Sequence, residues 1–248
     1  MWVRFPPRAL TYTPQMNDQN FKISPLEKQL VNSIVRKVEV EKKKHEMKTI
    51  NFNGLFGLLD GEEQALADKV KNLNPRTFGF KGRYLGIQKA PKNLVPLRGQ
   101  KYRWKGKTEK ITTQYISRET YIAYKKLNVA LYKDTGCKLL IASGYRSPAY
   151  QTTTFLWYLK YYKFNIKKTA KRVAMQGYSE HGYPKRQAVD FVTLGGIPTD
   201  TKPLDFAKTV EYKWLSENAG HFGFYESYPK GNKLGLMFEP WHWQYRGK

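Results

Sequence analysis

One cysteine in 248 residues leaves no material for a disulfide framework or a thiolate metal cluster. That residue, Cys137, precedes the apolar run KLLIAS and reads as a buried, inert thiol with no histidine near it in sequence to activate it. Apolar runs of ~18 residues are also missing, so no transmembrane helix is expected. A secretory signal is not evident: MWVRFPPRALTYTP has a proline pair where an apolar stretch belongs. The later candidate INFNGLFGLL is short and interrupted by asparagines, and starts at Met16 or Met47 fit the sequence as well. Acids are scarce, 20 against 44 Lys and Arg, which gives a formal charge of +24.

What the chain does have excludes disorder. A hydrophobic share of 40% supplies a core, and 18 Tyr with 6 Trp suggest a carved, ligand-lined surface. The positive field draws polyanions such as nucleic acid, anionic lipid or a bacterial wall. No nucleic-acid reader motif accompanies it, which weighs against a nucleic-acid protein. The charge is uneven. Residues 69–110 carry thirteen basic residues against Glu109 alone, whereas residues 179–248 carry nine basic against eight acidic.

Along the chain, Ser24, Pro25 and Glu27 predict a capped helix whose apolar stripe includes Leu30, Val31, Ile34, Val35 and Val38. It ends in a charged tail containing His45. Residues 1–68 therefore read as an N-terminal extension with one amphipathic helix, and 69–110 as a basic, loop-rich segment with short strands. A helix is expected from Ser117 to Gly136, a buried strand over KLLIAS, and an aromatic helix from Pro148 to about Tyr162. AVDFV (188–192) reads as a strand and residues 204–220 as a single amphipathic helix. FGFYES and LGLMFEP are expected to pair as a hairpin, with WHWQYR as the last strand. The pattern predicts an α+β domain with a largely antiparallel sheet.

Two of the four histidines, His181 and His242, stand beside acids in glycine- and aromatic-rich surroundings. Asp190 sits inside an apolar strand, where an unpaired carboxylate is costly to bury. Two imidazoles and a carboxylate make a three-ligand set for Zn²⁺ with a fourth position open. Glu239, three residues before His242, is then placed to act as a base. Alternatively, both histidines are ordinary and Asp190 is ion-paired.

SGYRSPAYQ, GYSEH…AVDF, WLSENAGHFGF and EPWHWQYRG occur in this order. Together they resemble the D-alanyl-D-alanine carboxypeptidases of the vancomycin-resistance Y type. These are zinc peptidases related to D-Ala-D-Ala dipeptidases and phage L-alanyl-D-glutamate endopeptidases. The resemblance covers about residues 91–248. It implies a zinc DD-peptidase (hedgehog-like) fold, with a small antiparallel sheet flanked by helices, and one Zn²⁺ held by His181, Asp190 and His242. Glu239 would be the general base and Arg146 the holder of the scissile carbonyl oxygen, with a salt bridge closing its turn as the alternative. Ser179 would bind the substrate carboxylate, unless it only closes a turn; Gln151 is a further substrate-binding candidate, or a helix-surface residue. Tyr178 and Trp241 read as cleft wall and His221 as a helix-end residue.

The implied activity is removal of the terminal D-Ala from peptidoglycan stem peptides, in the periplasm or at the wall. Endopeptidase cleavage within the stem is the enzymatic rival, and a polyanion-binding module without catalysis the non-enzymatic one. The basic segment would dock on the anionic wall. One departure stands out: the family usually spaces its histidine and aspartate by six residues, and here GYPKRQAV inserts eight. The extra two are expected to bulge at Pro184–Arg186, bringing Lys185 and Arg186 to the cleft mouth.

Overall fold

Ser24 starts the first helix through the expected capping box: its hydroxyl accepts from the Glu27 N–H, and the Glu27 carboxylate accepts from the Ser24 N–H. The computed structural model describes residues 22–43, 46–196 and 203–247; His45 lies outside them. Helix α1 (Pro25–Glu41) buries Val31, Ile34, Val35 and Val38. Two more helices follow, α2 (Phe52–Phe56) and α3 (Gly61–Lys71), the latter opened by a second capping box between Asp60 and Glu63.

The basic stretch then runs as loop with four short strands. β1 (Val95–Leu97) pairs with β4 (Gln114–Ile116), and β2 (Lys101–Trp104) with β3 (Lys107–Lys110), both antiparallel. Helix α4 (Arg118–Thr135) ends at Gly136, and β5 (Leu139–Ser143) leads through the SGYRS turn into α5 (Pro148–Tyr161). α6 (Ile166–Arg172) follows, then β6 (Ala188–Thr193).

Two expectations are corrected in the last quarter. The helix read over 204–220 is broken into α7 (Pro203–Ala207) and α8 (Val210–Asn218). Thr209 takes an extended conformation between them, and its hydroxyl accepts from the Tyr212 N–H as an N-cap. β7 (Phe224–Glu226) pairs with β8 (His242–Tyr245), not with LGLMFEP. That segment forms no strand because its backbone is engaged elsewhere: Met237 N–H donates to Lys171 O, and Leu234 O accepts from Lys81 N–H. Cys137 is half-buried rather than buried, with its thiol toward the Thr135 carbonyl.

The main sheet has the order β5-β6-β8-β7 with every neighbour antiparallel. It shares a core with α4 and α8, through Leu127, Leu131, Ile141, Phe191, Trp214 and Trp243. A separate core joins α1, α2 and α3 to α5 and α6, through Ile34, Leu55, Leu66, Phe155 and Ile166. The fold is α+β, a small antiparallel sheet flanked by helices, and the cleft opens where the two cores meet along the SGYRS turn and the N-terminal half of α5.

Candidate active site

Antiparallel pairing of β6 with β8 sets Asp190 directly opposite His242. Asp190 Oδ1 lies 3.0 Å from His242 Nδ1, and Asp190 Oδ2 lies 3.3 Å from His181 Nε2. His181 comes from a short 3-10 turn (Glu180–Gly182) that precedes β6. One ligand-type atom from each of the three residues lies within 4.8 Å of the others. The lengthened loop forms a second 3-10 turn, Pro184–Arg186, and His181 and Asp190 at its two ends lie side by side.

Each imidazole is oriented from behind. His181 Nδ1 donates to the Gly144 carbonyl at 2.8 Å, which leaves Nε2 as the lone-pair nitrogen. Gly144 is required there, since a Cβ would meet the Tyr115 carbonyl oxygen at 2.3 Å. His242 Nε2 contacts Glu180 Oε2 at 3.1 Å, and that carboxylate also accepts from Ser227 Oγ at 2.6 Å. An acceptor behind each imidazole is the arrangement that fixes tautomer and aim where histidines bind metals.

The donor set fits a cation. Burial, aided by the Arg146 guanidinium, pushes His181 down to about 4, so its ring is neutral. Its Nε2 is buried without a hydrogen-bond partner, although a carboxylate oxygen lies 3.3 Å away. Two lone pairs facing each other at that distance repel unless a positive charge stands between them. Burial alone would lower His242, but its hydrogen bonds to the Asp190 and Glu180 carboxylates push it up to about 10. Burial would likewise raise Asp190, yet the charged His242 ring, donating to its Oδ1, holds it below the usual carboxylate range. A metal ion would replace the His242 Nδ1 proton and leave the Nε2 proton with Glu180.

Glu239 stands next to this cluster, its Oε2 3.9 Å from His242 Nδ1. The turn through Pro240 holds it, with Glu239 N–H donating to Tyr228 O and His242 N–H to Glu239 O. Arg172 of α6 donates to Glu239 Oε1 at 2.5 Å and lies between the rings of Tyr158 and Trp241. Burial pushes Glu239 up to about 7 despite the pull of Arg172 and His242 in the other direction. A carboxyl group in that range can take a proton and return it near neutral pH.

Arg146, Ser179, Glu239, Tyr228 and Arg172 line one small cavity with the three metal-type ligands. Arg146 Nε is buried and unpartnered, and no salt bridge closes its turn among the described residues. The Ser179 hydroxyl makes no capping bond to the turn that it begins. Gln151 lies outside this lining: it is buried in α5, donates to the Ala174 carbonyl at 2.6 Å and leaves Oε1 unpartnered. Trp241 walls the cavity as expected, Tyr178 walls a neighbouring pocket, and His221 is exposed at a helix end. Beyond Arg146 a groove of about 500 Å³ continues between Trp157 of α5 and Lys42 and Lys48 of the N-terminal part.

Sequence reading misses Arg172, Glu180 and Tyr228. Arg172 ends a lysine-rich helix whose pattern reads as solvated surface, and Tyr228 stands in a loop. Glu180 carried a signal, as the acid next to His181, but nothing in the spacing distinguished a supporting carboxylate from a charged neighbour.

A family model described as VanY, D-alanyl-D-alanine carboxypeptidase, matches residues 113–248, more than half of the chain. YodJ of Bacillus subtilis (strain 168), named as a carboxypeptidase, is 28% identical over 214 residues, covering 75% of this chain and 76% of its own. The solved LdcB LD-carboxypeptidase, a structure concerned with peptidoglycan recognition, is 30% identical, with a TM-score of 0.54 over 71% of this chain and 79% of that one. A VanY D,D-pentapeptidase of a VanB-type resistance cassette, solved with Zn(II), is 26% identical over 68% of this chain and 88% of that one, with a TM-score of 0.46.

Proposed function

The chain belongs to the VanY family of D-alanyl-D-alanine carboxypeptidases, and from that premise we propose a zinc-dependent peptidase that removes the terminal D-Ala from peptidoglycan stem peptides, working in the periplasm or at the cell exterior. The observation that carries the metal reading is the buried, unpartnered Nε2 of His181 facing the Asp190 carboxylate. His181, Asp190 and His242 would hold one Zn²⁺. When bound there, the ion supplies polarisation of the scissile carbonyl and a lowered pKa for water.

The residues of the chain do the rest. Glu239 takes the proton of the attacking water and then delivers it to the departing D-Ala amine. Arg172 keeps the Glu239 carboxylate in place by its short charge-assisted bond. Arg146, with no competing salt bridge, donates to the carbonyl oxygen as negative charge develops on it. Ser179 receives the terminal carboxylate of the substrate, and Gln151 supports that end of the pocket from behind Ala174. The small cavity matches a single terminal residue, and the stem peptide extends into the groove toward Trp157.

A second reading concerns the bond rather than the leaving group. Similarity to an LD-carboxypeptidase favours a stem in which an L-residue precedes the terminal D-Ala. Incubation with pentapeptide and tetrapeptide stems, with and without a chelator, separates the readings. Chelator-sensitive release of free D-Ala from the pentapeptide supports the D,D reading, and release from the tetrapeptide alone supports the L,D one. New internal amino termini without free D-Ala would replace both by endopeptidase action. The thirteen cations of residues 69–110 are proposed to dock on anionic wall. Charge reversal of several of these lysines should weaken wall pelleting at low salt and have less effect at high salt; unchanged pelleting would remove the idea.

A further inference from the structure

Behind Glu180, on the side away from the metal-type ligands, lies a second pocket of about 310 Å³ lined by Arg83, Arg186 and Arg246. These arginines come from three separate places: the basic segment, the lengthened loop, and the residue after β8. Among the described residues none of the three is ion-paired. Arg246 Nε donates to Gln244 Oε1 at 2.9 Å, and its guanidinium packs over Tyr225. Among the described residues Glu180 is the one carboxylate in the lining; its Oε2 is already engaged by His242 and Ser227, and it offsets only part of the charge of Arg246.

The rim that carries Arg83 is fixed to the body of the protein. Lys81 N–H donates to Leu234 O and Leu85 N–H to Gly177 O, each at 2.7 Å. The rings of Phe80 and Tyr84 both pack edge-on against Tyr178. At Gly235 the chain passes so close that a Cβ would meet the Gly79 carbonyl oxygen at 2.1 Å. The Arg186 rim is held by its 3-10 turn, with the Arg186 N–H donating to Tyr183 O.

We propose that this pocket binds a phosphate ester. Guanidinium groups present planar forks that match phosphate and carboxylate oxygens. Glu180 brings one negative charge against three guanidinium groups, whereas a phosphomonoester, or successive units of a phosphodiester polymer, brings more than one charge and enough terminal oxygens to accept from several forks at once. The pocket exceeds a bare phosphate in volume, and Phe80, Tyr178 and Leu234 give the remainder an apolar wall suited to the organic part of an ester. Two sources carry this chemistry: the phosphodiester units of an anionic wall polymer, and soluble phosphate esters. The site is independent of the peptidase reading.

The test is calorimetric titration of the full chain with inorganic phosphate and with glycerol phosphate, at constant ionic strength in chloride. Saturable binding is expected, weakened about tenfold or more in Arg83→Ala/Arg186→Ala/Arg246→Ala. A variant with the same net charge, Lys125→Ala/Lys126→Ala/Lys133→Ala on α4, should bind as the parent does. Equal weakening in both variants, or no binding above that of chloride, would overturn the proposal. Thermal midpoints check folding, and Arg→Lys at the three positions, which keeps charge and removes the forks, should bind between parent and Ala variant. Pelleting of the parent and of the triple Ala variant with isolated wall, before and after chemical removal of phosphodiester polymers, identifies the source. A deficit of the triple Ala variant, relative to the α4 control variant, that disappears on stripped wall assigns it to the polymer, and equal pelleting of the two variants on both walls assigns it to soluble esters.

Discussion

Glu239 and Arg172 are both largely buried where they meet in the wall of the cavity, and the roles proposed for them are separable. In the proposed mechanism the carboxylate moves a proton and the guanidinium holds it still. Glu239→Gln keeps the shape and removes the base, so turnover should fall ~100-fold or more while bound zinc stays stoichiometric. Metal analysis beside a D-Ala release assay checks both halves, and Glu239→Ala should behave alike. If either variant loses its zinc together with its activity, Glu239 is a ligand and not a base. The ligand set is tested from the other side: His181→Ala and His242→Ala should each emerge nearly metal-free, and full zinc in either would sink the assignment. The His181, Asp190 and His242 cluster and the neighbouring Glu239 were legible in the sequence because each lies in a motif. Arg172 was not, because a single arginine among lysines has no pattern until tertiary packing places it between Tyr158 and Trp241.

At the scale of elements, the site depends on one register and one close approach. A one-residue slip between β6 and β8 would turn Asp190 or His242 to the opposite face of the sheet. The SGYRS turn contributes through backbone, since the Gly144 carbonyl orients His181. Gly144→Ala should therefore weaken zinc binding by about tenfold or more, read by competition with a chelator, and should lower the thermal midpoint. Unchanged affinity would mean that the carbonyl does not set the aim of His181. Helices with caps and stripes were readable, as α1, α4 and α5 are. What failed was pairing: FGFYES and LGLMFEP look like a hairpin locally, and only the engagement of the second by Lys171 and Lys81 backbone gives the partnership to β8. The break at Thr209 failed for a related reason, because a threonine that caps one helix looks, in sequence, like a tolerated residue inside a longer one.

For the whole molecule, the family match begins at residue 113, yet the core that supports α5 and α6 is built for more than half from residues before it. The stripe of α1 says that one face is buried; it does not say against what. The structure supplies the partner, with Val31, Ile34 and Val35 sharing a core with Phe155, Leu156 and Leu159 on the helix that starts directly after Arg146. Segment 46–50 adds a direct tie, since Ser147 N–H donates to Lys48 O and Ser147 Oγ to Ile50 O at 2.6 Å. The N-terminal helices are thus part of what keeps the SGYRS turn in place. Ile34 is fully buried, and Ile34→Ala should cost about 2–5 kcal/mol by loss of transfer energy and creation of a cavity. The denaturant midpoint should fall with it, and zinc binding should weaken at denaturant concentrations below global unfolding as the turn loosens. A midpoint unchanged from that of the parent would show that residues 25–71 ride on the catalytic part without supporting it.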